Sequence, residues 1–256
     1  MHTESAIPAK YWLPFLLPLC LGVAGIALIY VHVRMFWFPA PFFTASGGWQ
    51  GIKLVGILVV LGALLSLVVF NPLKSRRVLP RDVGLIVGLQ CLALACGAYV
   101  LHGQRPVAVV FWESEFLTVT ANELLEHGYS VGELERFGTS GPVWVYRPKP
   151  ASAEGLREIL KQATVNKVPP HHQISAYLPY RDYFSEFAWH SLDIDEITRA
   201  NRSMKEELDE LLQKTGGKSV DYLYLALKLK YRNVVVVFTK SGERIGYLYA
   251  PYLREI

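Results

Sequence analysis

The feature that most constrains this chain is a set of three long apolar runs within residues 1–101, at about 11–31, 54–70 and 83–101. Some 20 apolar residues, rising 1.5 Å each as a helix, cross a bilayer. The third run is followed by a short polar hinge, His102-Gly103-Gln104-Arg105, and then by Pro106-Val107-Ala108-Val109-Val110-Phe111-Trp112. That segment mixes β-branched and aromatic residues without helical spacing and reads as a strand. The sequence therefore predicts a membrane domain over 1–101 with three transmembrane helices, followed by a soluble α+β domain over 102–256.

Composition agrees with this division. The apolar fraction is 52% and the charged fraction 19%, the balance of membrane segments joined to an ordinary soluble part. Residues 1–101 carry seven Lys/Arg against Glu4 and Asp82, whereas 102–256 carry nineteen against twenty. The net charge of +4 thus reflects membrane topology, and no basic face suited to nucleic acid is expected. Cys20, Cys91 and Cys96 all fall in apolar runs, so disulfides do not place the soluble part in a redox compartment.

The first run is longer than the apolar core of a signal peptide and no small-x-small cleavage site follows it. Met35-Phe36-Trp37-Phe38-Pro39 comes next, an aromatic cluster suited to a membrane interface, and the run reads as a retained span. Lys74, Arg76, Arg77 and Arg81 separate the second and third runs, against Arg34 and Lys53 between the first and second. Basic residues in short loops stay cytoplasmic. The N-terminus is then cytoplasmic and residues 102–256 lie outside, which in a bacterium with two membranes is the periplasm.

Apart from Gln90 and a few hydroxyls the runs hold nothing polar, which argues against transporters, proton pumps and intramembrane proteases. Gly84, Gly88, Cys91, Ala95 and Ala98 recur at steps of four and three, a small-residue face on the third helix that another helix can approach closely. The simpler reading is packing on the first two helices; the second is an external partner helix. The two are compatible.

In the soluble part, Ser152 caps a helix with Leu156, Ile159, Leu160 and Ala163 on one face. A longer helix is expected from Asp193, boxed by Glu196, with Ile197, Met204, Leu208 and Leu211 inward, ending at Gly216-Gly217. The period then becomes two: Leu223, Leu225, Leu227 and Leu229 form the core face of a strand. Val234–Phe238 and Ile245–Tyr249 follow around Lys240-Ser241-Gly242, so the domain is expected to close as an antiparallel three-stranded meander.

Three constellations hint at chemistry or recognition. His171 and His172, with His190, Asp182 and Glu186, are the closest approach to a metal site, but adjacent histidines do not share a helix face and no cysteine joins them, so a solvated loop after Pro169-Pro170 is the simpler reading. Glu113 and Glu115 can be imagined as an acid/base pair on one strand face, against the alternative of a charged, protected strand edge. Tyr222, Tyr224, Tyr247, Tyr249 and Tyr252 can form an aromatic patch, although core and edge packing accounts for most of them. No GxSxG, SxxK-type site, P-loop or GxGxxG occurs.

One set of residues carries a resemblance. It comprises Trp37-Phe38-Pro39-Ala40-Pro41-Phe42-Phe43 with Gly47-Gly48, and Leu61 through Phe70. Arg81-Asp82-Val83, Leu89-Gln90 and Arg105 to Phe111 continue it, and Tyr231 to Glu243 completes it. In these the chain resembles the type IV pilin accessory protein family, the TfpX/TfpZ kind. It departs where the family reads Leu-Gly-Pro, having Leu61-Gly62-Ala63, and where an Asp is expected, having Val59 and Val60. The resemblance implies an inner-membrane, chaperone-like protein that supports pilin folding, stability or pilus assembly. Its implied partners are a major or minor type IV pilin and the lipid bilayer, with no enzyme activity, cofactor, metal or small-molecule substrate. A membrane-anchored periplasmic hydrolase using the histidines and a ligand-binding sensor domain are the alternatives.

Overall fold

The computed structural model describes residues 13–69 and 78–250, which fall into two units. The first holds helices α1 (Leu13–His32), α3 (Gly48–Val69) and most of α4 (Val78–Gly103). Between α1 and α3 come a π-helical turn, Val33–Trp37, and the short α2 (Phe42–Ala45). Residues 37–47 belong to the second unit together with everything from Gly103 onward.

The helical unit corrects the expectation of three spans. Among the described residues two helices are long and apolar enough to cross a membrane, Pro18–Trp37 and Arg81–Gly103. Among the described residues the apolar stretch assigned to α3 is the shorter Gly48–Gly62. Phe70, the expected end of that run, lies outside the described residues, as do Lys74, Arg76 and Arg77 of the basic connector.

The three helices meet through glycines. A Cβ at Gly22 of α1 would collide with Val59 of α3, one at Gly25 would lie 2.7 Å from Leu94 of α4, and one at Gly97 of α4 would lie 2.5 Å from Val55 of α3. Backbones thus come close where side chains are missing, which is how helices gain packing in lipid. Gln90, buried to 4% exposure, donates from Nε2 to the Val59 carbonyl at 3.3 Å and lies against Gly62.

The second unit is a mixed α/β domain around a seven-stranded sheet of order β4-β3-β1-β2-β5-β6-β7. Its elements are β1 (Pro106–Trp112), β2 (Glu115–Thr120), α5 (Ala121–Glu126), a 3₁₀ segment Val131–Phe137, β3 (Val143–Tyr146), α6 (Ala153–Val165), β4 (Leu178–Pro179), α7 (Phe184–Ala188), α8 (Ile194–Ala200), α9 (Arg202–Thr215), β5 (Tyr222–Lys228), β6 (Val234–Thr239) and β7 (Arg244–Tyr249). The expected closing meander is corrected accordingly: β5, β6 and β7 are consecutive antiparallel strands, but they form one half of a larger sheet. The other half is β4-β3-β1-β2. The join is a parallel pairing of β2 with β5 at two positions only, Phe116↔Leu227 and Leu117↔Lys228.

Both sheet faces are covered. On one, Val107, Ala108, Val110, Val119, Val143 and Val145 pack with Leu124, Leu134, Ile174 and Tyr177, and Tyr224, Val235, Val237 and Leu248 pack with Ile194, Met204 and Leu208. The other face is aromatic. Phe111 stacks on Phe187 with centroids 4.4 Å apart, Phe116 meets Trp144 edge-on at 4.9 Å, and Phe184 lies over Phe238 at 5.3 Å. Covering on two faces explains why β5 is not the one-faced strand its leucines suggest, because Tyr224 and Leu225 are both buried. The segment 37–47 is tied to this domain by the Tyr231 amide, which donates to the Ala45 carbonyl at 2.9 Å, and Phe38, Phe42 and Phe43 are buried.

The helix expected from Asp193 to Gly216 is two. Asp193 caps α8 by accepting from Asp195 and Glu196. Asn201, with φ −140° and ψ 99°, then breaks the helix and recaps it as α9 by accepting from the Met204 amide. A residue with a short amide competes with the helix for its own backbone groups, and here it wins. Ser152 caps α6 as expected, accepting from Gly155 at 3.1 Å, but α6 has no buried residue, and Leu156 and Leu160 are exposed.

Candidate functional site

The small residues of α4 lie on a face of their own. Gln90, Gly97 and Leu101 carry contacts with α3, and the buried Ile86 shares their side of the helix. Leu94 meets α1. Gly84, Gly88, Cys91, Ala95 and Ala98 centre about 120° round the helix from this side, at 100° per residue. A Cβ placed on Gly84 or Gly88 would have no described atom within 4 Å, and Cys91 and Ala95 are exposed. The side of α4 that seats its neighbours was visible in the sequence only as Gln90; the glycines that face it, Gly22, Gly25 and Gly62, are on other helices.

In the domain, the histidines divide into two groups. His171 and His172 touch edge-on at 4.4 Å, and His172 lies against His127 with centroids 5.0 Å apart. Glu123, four residues before His127, faces this cluster from α5 and completes a capping box with Thr120. Burial pushes His171 down to about 4, aided by the adjacent His172, and burial also lowers His172. Both rings are therefore neutral at pH 7. His190 is elsewhere, stacked on Trp189 at 3.6 Å and beside Phe111. Among the described residues no group of three or more His, Cys, Asp or Glu side chains is placed to hold a metal ion.

Glu113 and Glu115 are also separated. Glu113 lies in the two-residue turn that closes the β1–β2 hairpin, with φ 60°, whereas Glu115 is on β2, 3.9 Å from the Lys228 ammonium. A two-residue hairpin loop takes positive φ to match the strand twist, which removes Glu113 from any strand face. The tyrosines of the last strands make no open patch: Tyr224 is buried with its hydroxyl donating to the Ser219 carbonyl, and Tyr222, Tyr247 and Tyr249 are half-buried. Tyr252 lies outside the described residues.

Two features escape the sequence. Arg147 belongs to a proline-rich loop yet is 2% exposed; its guanidinium lies 4.5 Å from the Trp112 ring and Nη2 donates to Gln173 Oε1 at 2.7 Å. The second is a pocket of about 920 Å³ at the β2/β5 join, lined by Thr118 and Thr120 on one wall and by Leu229 and Lys230 on the other. It exists because strands more than a hundred residues apart in sequence pair and then separate, which no local pattern records.

No family model and no solved structure matches the chain. Curated relatives do. It is similar to the fimbrial assembly protein of serogroups C1 and C2 of Dichelobacter nodosus, at 35% identity over 92 residues, 36% of this chain and 70% of that protein. The serogroup E1 protein is 35% identical over 98 residues, and the serogroup I protein 31% identical over 106. The chain spans 37% and 41% of the length of these last two.

Proposed function

This chain belongs to the family of the fimbrial assembly proteins, and we propose that it acts in type IV pilus assembly as an inner-membrane, chaperone-like accessory of the TfpX/TfpZ kind. In this reading it is not an enzyme. It holds a major or minor pilin in the bilayer until the pilin is incorporated.

The observation that carries the reading is α4, an apolar helix with one face packed on its neighbours and a second, small-residue face open among the described residues. Helices in lipid gain little from hydrophobicity alone and associate where backbones approach closely. A pilin's membrane helix is a partner of that chemistry. The orientation follows from Lys74, Arg76, Arg77 and Arg81, which the positive-inside rule keeps in the cytoplasm. The α4 span then delivers the domain to the periplasm. The rival reading, a periplasmic hydrolase, loses support because His190 stands apart from His171 and His172.

The test is complementation of cells lacking the chain. Loss should reduce surface pili at least severalfold and shrink the membrane pool of pilin. The wild-type gene and a His171→Ala, His172→Ala, His190→Ala triple variant should both restore piliation to within severalfold of each other. Normal piliation without the chain would overturn the role, and failure of an abundant, folded triple variant would revive the hydrolase.

A further inference from the structure

The pocket at the join of the two half-sheets is the least explained part of the domain. Along its edge facing β2, β5 makes two kinds of contact in turn. The Tyr224 amide donates to Ser191 Oγ and the Tyr224 carbonyl accepts from the Leu192 amide, at 2.9 and 2.7 Å. Leu227 and Lys228 then pair with β2. Beyond them, among the described residues, no strand pairing joins Thr118–Thr120 to Leu229–Lys230, and the cleft opens there. Its floor is apolar, with Leu117, Leu192 and Ala226. Its walls carry opposite charge, Glu115 and Glu123 on the β2–α5 side and Lys228 and Lys230 on the β5 side.

We propose that this cleft receives an extended peptide segment presented by a partner protein. The segment lies along the seam with apolar side chains over Leu117, Leu192 and Ala226, and with charges of both signs meeting Glu123 on one wall and Lys230 on the other. Three observations favour a peptide. A size of about 920 Å³ is at the upper end of small-ligand sites, where a short stretch of chain fits. Besides the charged groups and the His171 imidazole, the polar lining includes hydroxyls and amides from Ser46, Gln104, Thr118 and Asn233, the donors and acceptors a peptide backbone needs. No Phe, Tyr or Trp is among the described lining residues, so a nucleic-acid base finds no broad ring to stack on. The two oppositely charged walls, with Glu115 and Lys228 paired at 3.9 Å where the strands meet, suit a segment of mixed charge and fix its direction.

This rests on the pilus-assembly reading only for the choice of probe. The full chain in lipid nanodiscs is titrated with two sets of fluorescent peptides, one tiling the soluble part of the pilin and one a random library of equal length. Lys230→Glu reverses an exposed charge, and Ala226→Phe fills the floor. Pilin peptides that bind wild type and weaken about tenfold in both variants support the cleft and its partner. Library peptides that bind and weaken, with no pilin peptide binding, keep the cleft and remove the pilin. Binding that neither variant alters, or no binding by either set, overturns the proposal. Should Ala226→Phe fail to fold, Lys230→Glu alone decides between these outcomes.

Discussion

His171 and His172 show how a side chain's surroundings decide its chemistry. Read as a sequence, adjacent histidines after Pro169-Pro170 suggest a solvated loop. In the fold His171 meets His172, which packs against His127 and is 5% exposed. A folded-state value near 4 for His171 against an ordinary 6.5 means that the unfolded chain binds protons that the folded one refuses. Stability should therefore be steady above about pH 6.5 and fall as pH drops from 6.5 towards 4, by about 3 kcal/mol. Thermal unfolding of the protein across that range checks this, and His171→Gln should flatten the curve; a melting temperature independent of pH in both proteins would contradict it. Arg147 makes the same point in reverse: the loop was legible from Pro148 and Pro150, but a guanidinium stacked on Trp112 requires knowing that β1 and β3 are neighbours.

Helices are where local pattern and tertiary contact compete most openly. The caps at Ser152, Asp193 and Gly216 were legible because capping is a matter of a few consecutive residues. The break at Asn201 was not, since the apolar spacing runs straight through it. In α4 the spacing of the small residues can be read directly, whereas the direction they face depends on α1 and α3 and was not legible. The two glycine classes lead to a paired prediction. Gly97→Leu drives a side chain into Val55 and should disrupt the helix unit, overpacking costing about 1–3 kcal/mol or more, with membrane abundance falling severalfold. Gly88→Leu meets open space and should leave abundance unchanged. Immunoblots of membrane fractions decide it, and equal loss in both variants would mean that the two faces of α4 are not distinct.

At the scale of the whole molecule, the chain visits the domain unit twice. Residues 37–47 belong to it, and it resumes at Gly103. Hydropathy and charge divide the sequence near residue 101 but give no sign of the earlier visit. The seven-stranded sheet was not legible, because β2 and β5 pair across more than a hundred residues that include five α-helices. Nor did hydropathy separate the two helices that are span-length among the described residues from the shorter apolar stretch described in α3. The basic connector before α4 predicts that the domain lies across the membrane from Ser75. A phosphatase fused after Ile256 should be active and one fused after Ser75 silent; an active Ser75 fusion with a silent Ile256 fusion would invert the topology. The central claim is that a pilin helix is held against the open face of α4, and Cys91, already on that face and exposed, allows it to be tested with the native residue. Oxidative crosslinking in membranes from Cys91 to a pilin bearing one cysteine in its membrane helix should give a heterodimer band, and Gly88→Leu should abolish it while leaving the protein abundant. A band that persists unchanged in Gly88→Leu, or no band at any pilin position, would contradict the account.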